Sequence, residues 1–249
     1  MPGTLIVTGP MNAYQLGVPK DADYDVIHIH PKGSDIGSDA MQAAASAWLG
    51  GKSLRDRVGG TEPIGVAWFS AGHGAVRAIL STSSPSDAAA WMCIDGLYGS
   101  NTFADRLVTA SRLGETSLIA TASTSTPGQY DHSLDRWREA MGRLGSPQVD
   151  PSSATEWGLP EPDECWGEPG YLISGYLDLG HHEQVPATRA AMLRWWDAAR
   201  APAPKPPIEP EKPPVQPVQP GIEPVNIALP IIGTAAIAGL IAYLALRKR

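Results

Sequence analysis

Pro63-Ile64-Gly65-Val66-Ala67-Trp68-Phe69-Ser70-Ala71-Gly72-His73-Gly74-Ala75-Val76-Arg77-Ala78-Ile79-Leu80 decides the fold. Its first half is an apolar run of strand length, and its second half is Ala-rich and continues as a helix. Between them stand small residues around a serine. A strand that turns abruptly into a helix pushes the side chain at the corner into solvent and strains its backbone. Small neighbours let the two elements approach there. The motif form of such a corner is G-x-S-x-G, and here it reads Trp68-Phe69-Ser70-Ala71-Gly72, with tryptophan in place of the first glycine. Ser70 is thereby a candidate nucleophile. Its other reading is a serine capping an ordinary helix.

The same alternation extends in both directions. Upstream, Thr4-Leu5-Ile6-Val7-Thr8 is a buried-strand pattern stopped by Gly9-Pro10, and Tyr24-Asp25-Val26-Ile27-His28-Ile29-His30 is a second strand. Residues 38–49 carry helical spacing through Met41, Ala45, Trp48 and Leu49, closed by Gly50-Gly51. Downstream, an apolar run over 88–94 ends in Asp95-Gly96, and a helix is expected from about 102 to 113. A strand over 117–123, a helix over 133–144, a strand over 171–176 and an amphipathic helix over 186–199 follow. Residues 146–170, rich in Pro, Gly and Ser and holding Trp157 and Trp166, read as irregular. The expected class is α/β, a mostly parallel sheet with helices on both faces. In such sheets ligands sit beyond the carboxyl ends of the strands. That places Met11, Ser70, Asp95, Thr124, His181 and His182 along one edge.

The remainder of the 249 residues divides by composition. After a domain over 1–200, residues 201–224 are a Pro-rich run that makes neither helix nor sheet ladder and reads as an extended spacer. Residues 225–246 are uncharged and mostly apolar, and Arg247-Lys248-Arg249 closes the sequence. About 20 apolar residues cross a bilayer as a helix, so a single transmembrane segment with a basic tail over 247–249 is expected. Met1-Pro2-Gly3-Thr4 leads straight into a strand, so the simplest expectation is a tail anchor inserted after synthesis. Which side of the membrane the domain faces stays open.

A formal net charge of −7 argues against nonspecific nucleic-acid binding. Gly9 is followed by no Gly-x-x-Gly, so a dinucleotide-binding turn is absent. Two cysteines, Cys93 and Cys165, make no framework and no zinc spacing, and Cys93 reads as a small core residue. His28 and His30 share a strand face without a third ligand, so neither a metal nor another cofactor is expected.

A serine hydroxyl becomes a useful nucleophile when a base takes its proton, and the base needs a carboxylate to fix its tautomer. The chain supplies Ser70, then Asp95, then His181 or His182, each just after a strand. This order and the strand–elbow–helix resemble the α/β-hydrolase superfamily over residues 1 to about 199, and at the level of fold the small cutinase-like and phage lysin esterases. The resemblance implies a Ser-His-Asp triad of Ser70, His181 and Asp95, an acyl-enzyme, and an oxyanion hole from the amides of Ala71 and Met11. His182 is the alternative base. Asp131, in the loop Tyr130-Asp131-His132, is the alternative acid, because most of the family carries the acid one strand later, where Ala122-Ser123-Thr124 has no carboxylate. His73 is expected to pack, and residues 146–170 to form a cap over the substrate.

The resulting expectation is a membrane-anchored serine hydrolase, esterase- or lipase-like, acting on an ester of a lipid or a cell-envelope component. The alternative is a binding or structural protein of a membrane or virion that keeps the fold with a decayed site. Trp68 at the first glycine position and the missing acid after the usual strand favour that alternative.

Overall fold

A computed structural model describes residues 2–98, 102–124 and 132–201. Its centre is a seven-stranded sheet in the order β2-β1-β3-β4-β5-β7-β6. The strands are β1 (Thr4–Thr8), β2 (Asp25–Ile29), β3 (Ile64–Phe69), β4 (Ala90–Ile94), β5 (Ser117–Ser123), β6 (Glu164–Glu168) and β7 (Tyr171–Tyr176). All neighbours run parallel except β6, which pairs antiparallel with β7 at the edge. The helices are α1 (Ala13–Leu16), α2 (Ser38–Leu49), α3 (Leu54–Val58), α4 (His73–Thr82), α5 (Thr102–Arg112), α6 (Ser133–Leu144), α7 (Ser152–Thr155) and α8 (Gln184–Arg200).

Alternation of side chains along each strand divides the core in two. Ile6, Val66, Trp68, Trp91, Cys93 and Ala120 face one way and pack under α2, α4, α5 and α6. Leu5, Val7, Ala67, Phe69, Met92 and Ile119 face the other way, under α1, α7 and α8. Because both faces are covered, the inner strands are mostly apolar and their few Thr and Ser side chains are largely buried. The β1 and β3 strands are buried at every position. The α8 helix lies close because β1 and β3 present bare backbone to it. A Cβ on Gly65 would stand 2.7 Å from the Trp196 ring, and one on Gly3 would stand 3.1 Å from it. On the opposite face α4 reaches α2 at Gly74, where a Cβ would lie 1.9 Å from the Ser38 carbonyl oxygen.

The segment 146–170 departs from its sequence reading. It holds α7 and β6, and its tryptophans turn inward. Trp166 is buried in the core under α6, and the Trp157 ring lies 4.5 Å from that of Trp195 on α8. Within Glu164-Cys165-Trp166-Gly167-Glu168 the middle three residues are buried, so strand pairing with β7 overrides the surrounding Pro and Gly. None of these residues lines the cavity at Ser70, so the segment is an edge of the sheet and not a cap.

The spacer over 201–224 lies outside the described residues except Ala201, and the apolar run over 225–246 with its basic tail lies wholly outside them. Among the described residues no helix is long and apolar enough to cross a membrane.

Candidate active site

Ser70 stands at the carboxyl end of β3, where a 3-10 turn, Ser70–Gly72, runs directly into α4. Its φ is 51°, and the next strand carries a second such corner at Asp95, with φ 41°. Among the described residues these are the two non-glycine positions with positive φ. Each departure of this kind costs about 1–3 kcal/mol and persists where the surroundings over-determine it. At Ser70 the surroundings are backbone. Gly9, with φ 105°, comes so near that a Cβ there would meet the Phe69 carbonyl oxygen at 2.2 Å. A Cβ on Gly72 would stand 2.8 Å from the Thr8 carbonyl oxygen. The His73 ring locks the corner from the helix side. Its Nδ1–H donates to the Ser70 carbonyl at 3.0 Å, so its Nε2 accepts the Ser38 hydroxyl proton at 2.9 Å. His73 therefore supports the corner by hydrogen bonding as well as by packing.

Asp95 is fully buried and held by side chains. Its Oδ1 accepts the Ser123 amide at 2.8 Å, and its Oδ2 accepts the Ser123 hydroxyl at 2.9 Å and the Tyr98 hydroxyl at 3.3 Å. The strand that lacks a carboxylate of its own thus supplies the donors that fix its neighbour's. Sequence reasoning had no signal for Ser123 or Tyr98, because both act across strand and loop.

His181, in the turn before α8, completes a line. Its Nδ1 lies 2.5 Å from Asp95 Oδ2 and its Nε2 3.0 Å from Ser70 Oγ. A buried carboxylate accepts, so Nδ1 carries the proton and Nε2 is left to accept from the serine hydroxyl. The ring is buried, with Phe69 stacked on it at 4.6 Å between centroids and Tyr98 edge-on at 6.4 Å. Phe69 is a further residue that the sequence did not single out. Its position next to Ser70 was the available clue.

Of the other sequence candidates, His182 is exposed, with its ring 5.1 Å from that of His181, and makes no bond to Ser70. Asp131 lies outside the described residues. Thr124 joins the Leu177 carbonyl at 3.4 Å and stays outside the hydrogen-bonded line. Met11 is buried beside Ser70 in the cavity wall. Its loop is fixed by a reciprocal pair, Asn12 N–H to Gln15 Oε1 and Gln15 N–H to Asn12 Oδ1, both 2.9 Å. Ala71 is the second residue of the 3-10 turn, and first-turn amides of a helix lack intrahelical partners.

Trp68, the departure from the motif, lies fully buried on the face opposite the cavity. Its Nε1–H donates to the Gly96 carbonyl at 2.8 Å, and a Cβ on Gly96 would stand 2.6 Å from its ring. The indole therefore ties the Asp95 corner to the strand that carries Ser70. Burial pushes the Cys93 thiol well above its usual value, which leaves it a packed side chain. Among the described residues no group of three or more His, Cys, Asp or Glu side chains is placed to hold a metal ion.

The site opens into a cavity of about 1010 Å³ whose wall includes Ser70, His181, Met11 and Phe69. It is formed between the loop after β1 and the first turns of α8. Neither a scan of the chain against protein-family models nor a search of the curated proteins finds a match.

Proposed function

We propose that this protein is a serine hydrolase of the α/β-hydrolase type that cleaves carboxylic esters through an acyl-enzyme. The observation that carries the reading is the continuous hydrogen-bonded line from Asp95 through His181 to Ser70. Two strained corners and a buried carboxylate are costly features for an inert scaffold, and they meet at one cavity.

In this reaction Ser70 Oγ bonds to the ester carbonyl carbon while its proton passes to His181 Nε2. Asp95 holds Nδ1–H and stabilises the imidazolium. The amides of Ala71 and Met11 receive the charge that develops on the carbonyl oxygen, a contribution of roughly 3–4 kcal/mol for a donor of this kind. The carbonyl–alkoxide bond then breaks, and the alcohol leaves with the proton from Nε2. Water, deprotonated by the same nitrogen, attacks the acyl-serine, releases the acid and restores Ser70. The apolar stretch over 225–246 would hold the domain at a membrane, near lipid or envelope esters.

Fluorophosphonate labelling of the full-length chain tests the reading. Wild-type protein is expected to label stoichiometrically at Ser70, and Ser70→Ala to lose the label. Folded wild-type protein that resists labelling would instead favour a binding or structural role.

A further inference from the structure

The cavity at Ser70 has two chemically different parts. Met11, Leu16, Val18, Phe69, Val185 and Leu193 give it apolar walls. Lys20 and Arg189 also line it, and the lining contains no aspartate or glutamate. Among the described residues neither cation forms an ion pair or a side-chain hydrogen bond. Other arginines of the domain are paired: Arg112 with Glu168, Arg138 with Asp135 and Glu164, Arg143 with Asp105, and Arg200 with Asp23. Some other cations, Arg57 for one, also lack an ion pair among the described residues, but Arg189 and Lys20 share the lining of the cavity that holds Ser70.

Their placement follows from the elements. Val185, Arg189 and Leu193 recur every four residues and form one stripe of α8. Arg189 is therefore about 6 Å along the helix from Val185, itself four residues after His181. The stem of Arg189 lies on the loop after α1, where a Cβ at Gly17 would stand 3.4 Å from its Cδ. Lys20 enters from the same loop. A ligand with its ester at Ser70 thus meets apolar wall over most of its length and, from Arg189 and Lys20, positive charge on the same lining.

We infer that the ester cleaved at Ser70 belongs to an anionic amphiphile, an acyl chain esterified to an alcohol that bears a phosphate or carboxylate. This rests on the hydrolase reading. The acyl chain takes the apolar walls, and the anion of the alcohol half pairs with Arg189 and Lys20. A guanidinium matches either anion with two parallel hydrogen bonds. Cleavage breaks the bond between acyl carbon and alcohol oxygen. The anionic alcohol leaves protonated by His181, and water supplies the hydroxyl of the released acid.

The test compares dihexanoylphosphatidic acid with dihexanoylglycerol, both as monomers in solution, using the full-length chain and acid release as the readout. Wild-type kcat/KM is expected to favour the anionic ester by about tenfold at low ionic strength. The double variant Arg189→Gln, Lys20→Gln is expected to bring the ratio near one, chiefly through KM, and Arg189→Lys to restore part of it. A wild-type ratio near one, or a ratio that the double variant leaves unmoved, overturns the inference while leaving the hydrolase reading intact. If neither ester is cleaved, calorimetric binding of dodecyl phosphate against dodecyl maltoside decides. Tighter binding of the phosphate, lost in the double variant, upholds the anion site, and the fluorophosphonate labelling decides the hydrolase reading separately. Equal binding removes the anion site. A parallel arm with the phosphatidic acid held in phosphatidylcholine vesicles distinguishes a lipid surface from a free amphiphile as the source.

Discussion

The two strained corners at Ser70 and Asp95 sit side by side at the ends of β3 and β4, yet they are held in opposite ways. The Ser70 corner is gripped chiefly by main chain, with Gly9, Gly72 and Gly74 bringing backbone from β1 and α2 to within contact and the His73 ring as a side-chain tie. The Asp95 corner is gripped chiefly by side chains, from Ser123, Tyr98, His181 and Trp68, with the Ser123 amide and the Thr121 carbonyl as its main-chain ties. A backbone grip fixes position and leaves the hydroxyl exposed to a ligand. A side-chain grip satisfies a buried charge, which costs a great deal when left unpaired. Under the proposed reaction, each grip suits the role of the residue it holds.

The sharpest way to separate the two is Asp95→Asn, which keeps size while removing the charge. Under the proposed reaction, ester turnover should fall by about 10⁴-fold with little loss of melting temperature, because the His181 tautomer is no longer fixed. Retention of turnover would show that another group plays the acid. Gly74→Ala attacks the other corner through its backbone. The new methyl has no room beside the Ser38 carbonyl, so α2 and α4 must part, and unfolding in urea should show a loss of about 3 kcal/mol or more. An undiminished midpoint would mean that this approach is not tight.

Trp68→Phe tests the link between the corners. It leaves the Gly96 carbonyl without its donor, and a loss of about 1–3 kcal/mol is expected by the same measurement. Ser123→Ala removes one donor from Asp95 and leaves the Ser123 amide in place, so kcat should drop about tenfold.

The smallest effect lies outside both corners. The hydrogen bond from Arg200 holds the Asp23 carboxyl below the usual aspartate range. A depressed native value means that the contribution is present above the unfolded value and fades as pH falls through the native one. Asp23→Asn should therefore leave the melting temperature at pH 7 almost unchanged, and the small difference from wild type should shrink further below about pH 4. A large difference at either pH would show that this exposed pair matters more than its position suggests.

The same contrast explains what the sequence could disclose. A backbone grip is written locally: the string Ser70-Ala71-Gly72-His73-Gly74 announces a tight strand-to-helix corner, and short apolar runs announce buried parallel strands. A side-chain grip is assembled from distant places. Ser123 lies 28 residues beyond Asp95, and His181 lies 86 beyond it. No local pattern marks Ser123 as a partner, whereas His181 is legible from its place after a strand and before the last helix, with His182 as the open alternative. Trp68 reads as a flaw in a motif until Gly96 is seen against it. The β6 strand was hidden for a related reason, since charged ends and neighbouring Pro and Gly mask a five-residue strand whose stability comes from pairing with β7. The cap reading failed with it, because Trp157 and Trp166 have partners inside the domain.

Trp196 lying across the bare backbone of Gly3 and Gly65 has a consequence for the order of events at the ribosome. The strand that bears Ser70 leaves the exit tunnel early, but His181 is 111 residues behind it. The turn that carries His181 leads directly into α8, whose Trp196 indole packs on the backbone at Gly3 and Gly65. Under the proposed reaction, Ser70 would gain its base only once α8 is in place, so a chain not yet completed to that helix would lack the triad.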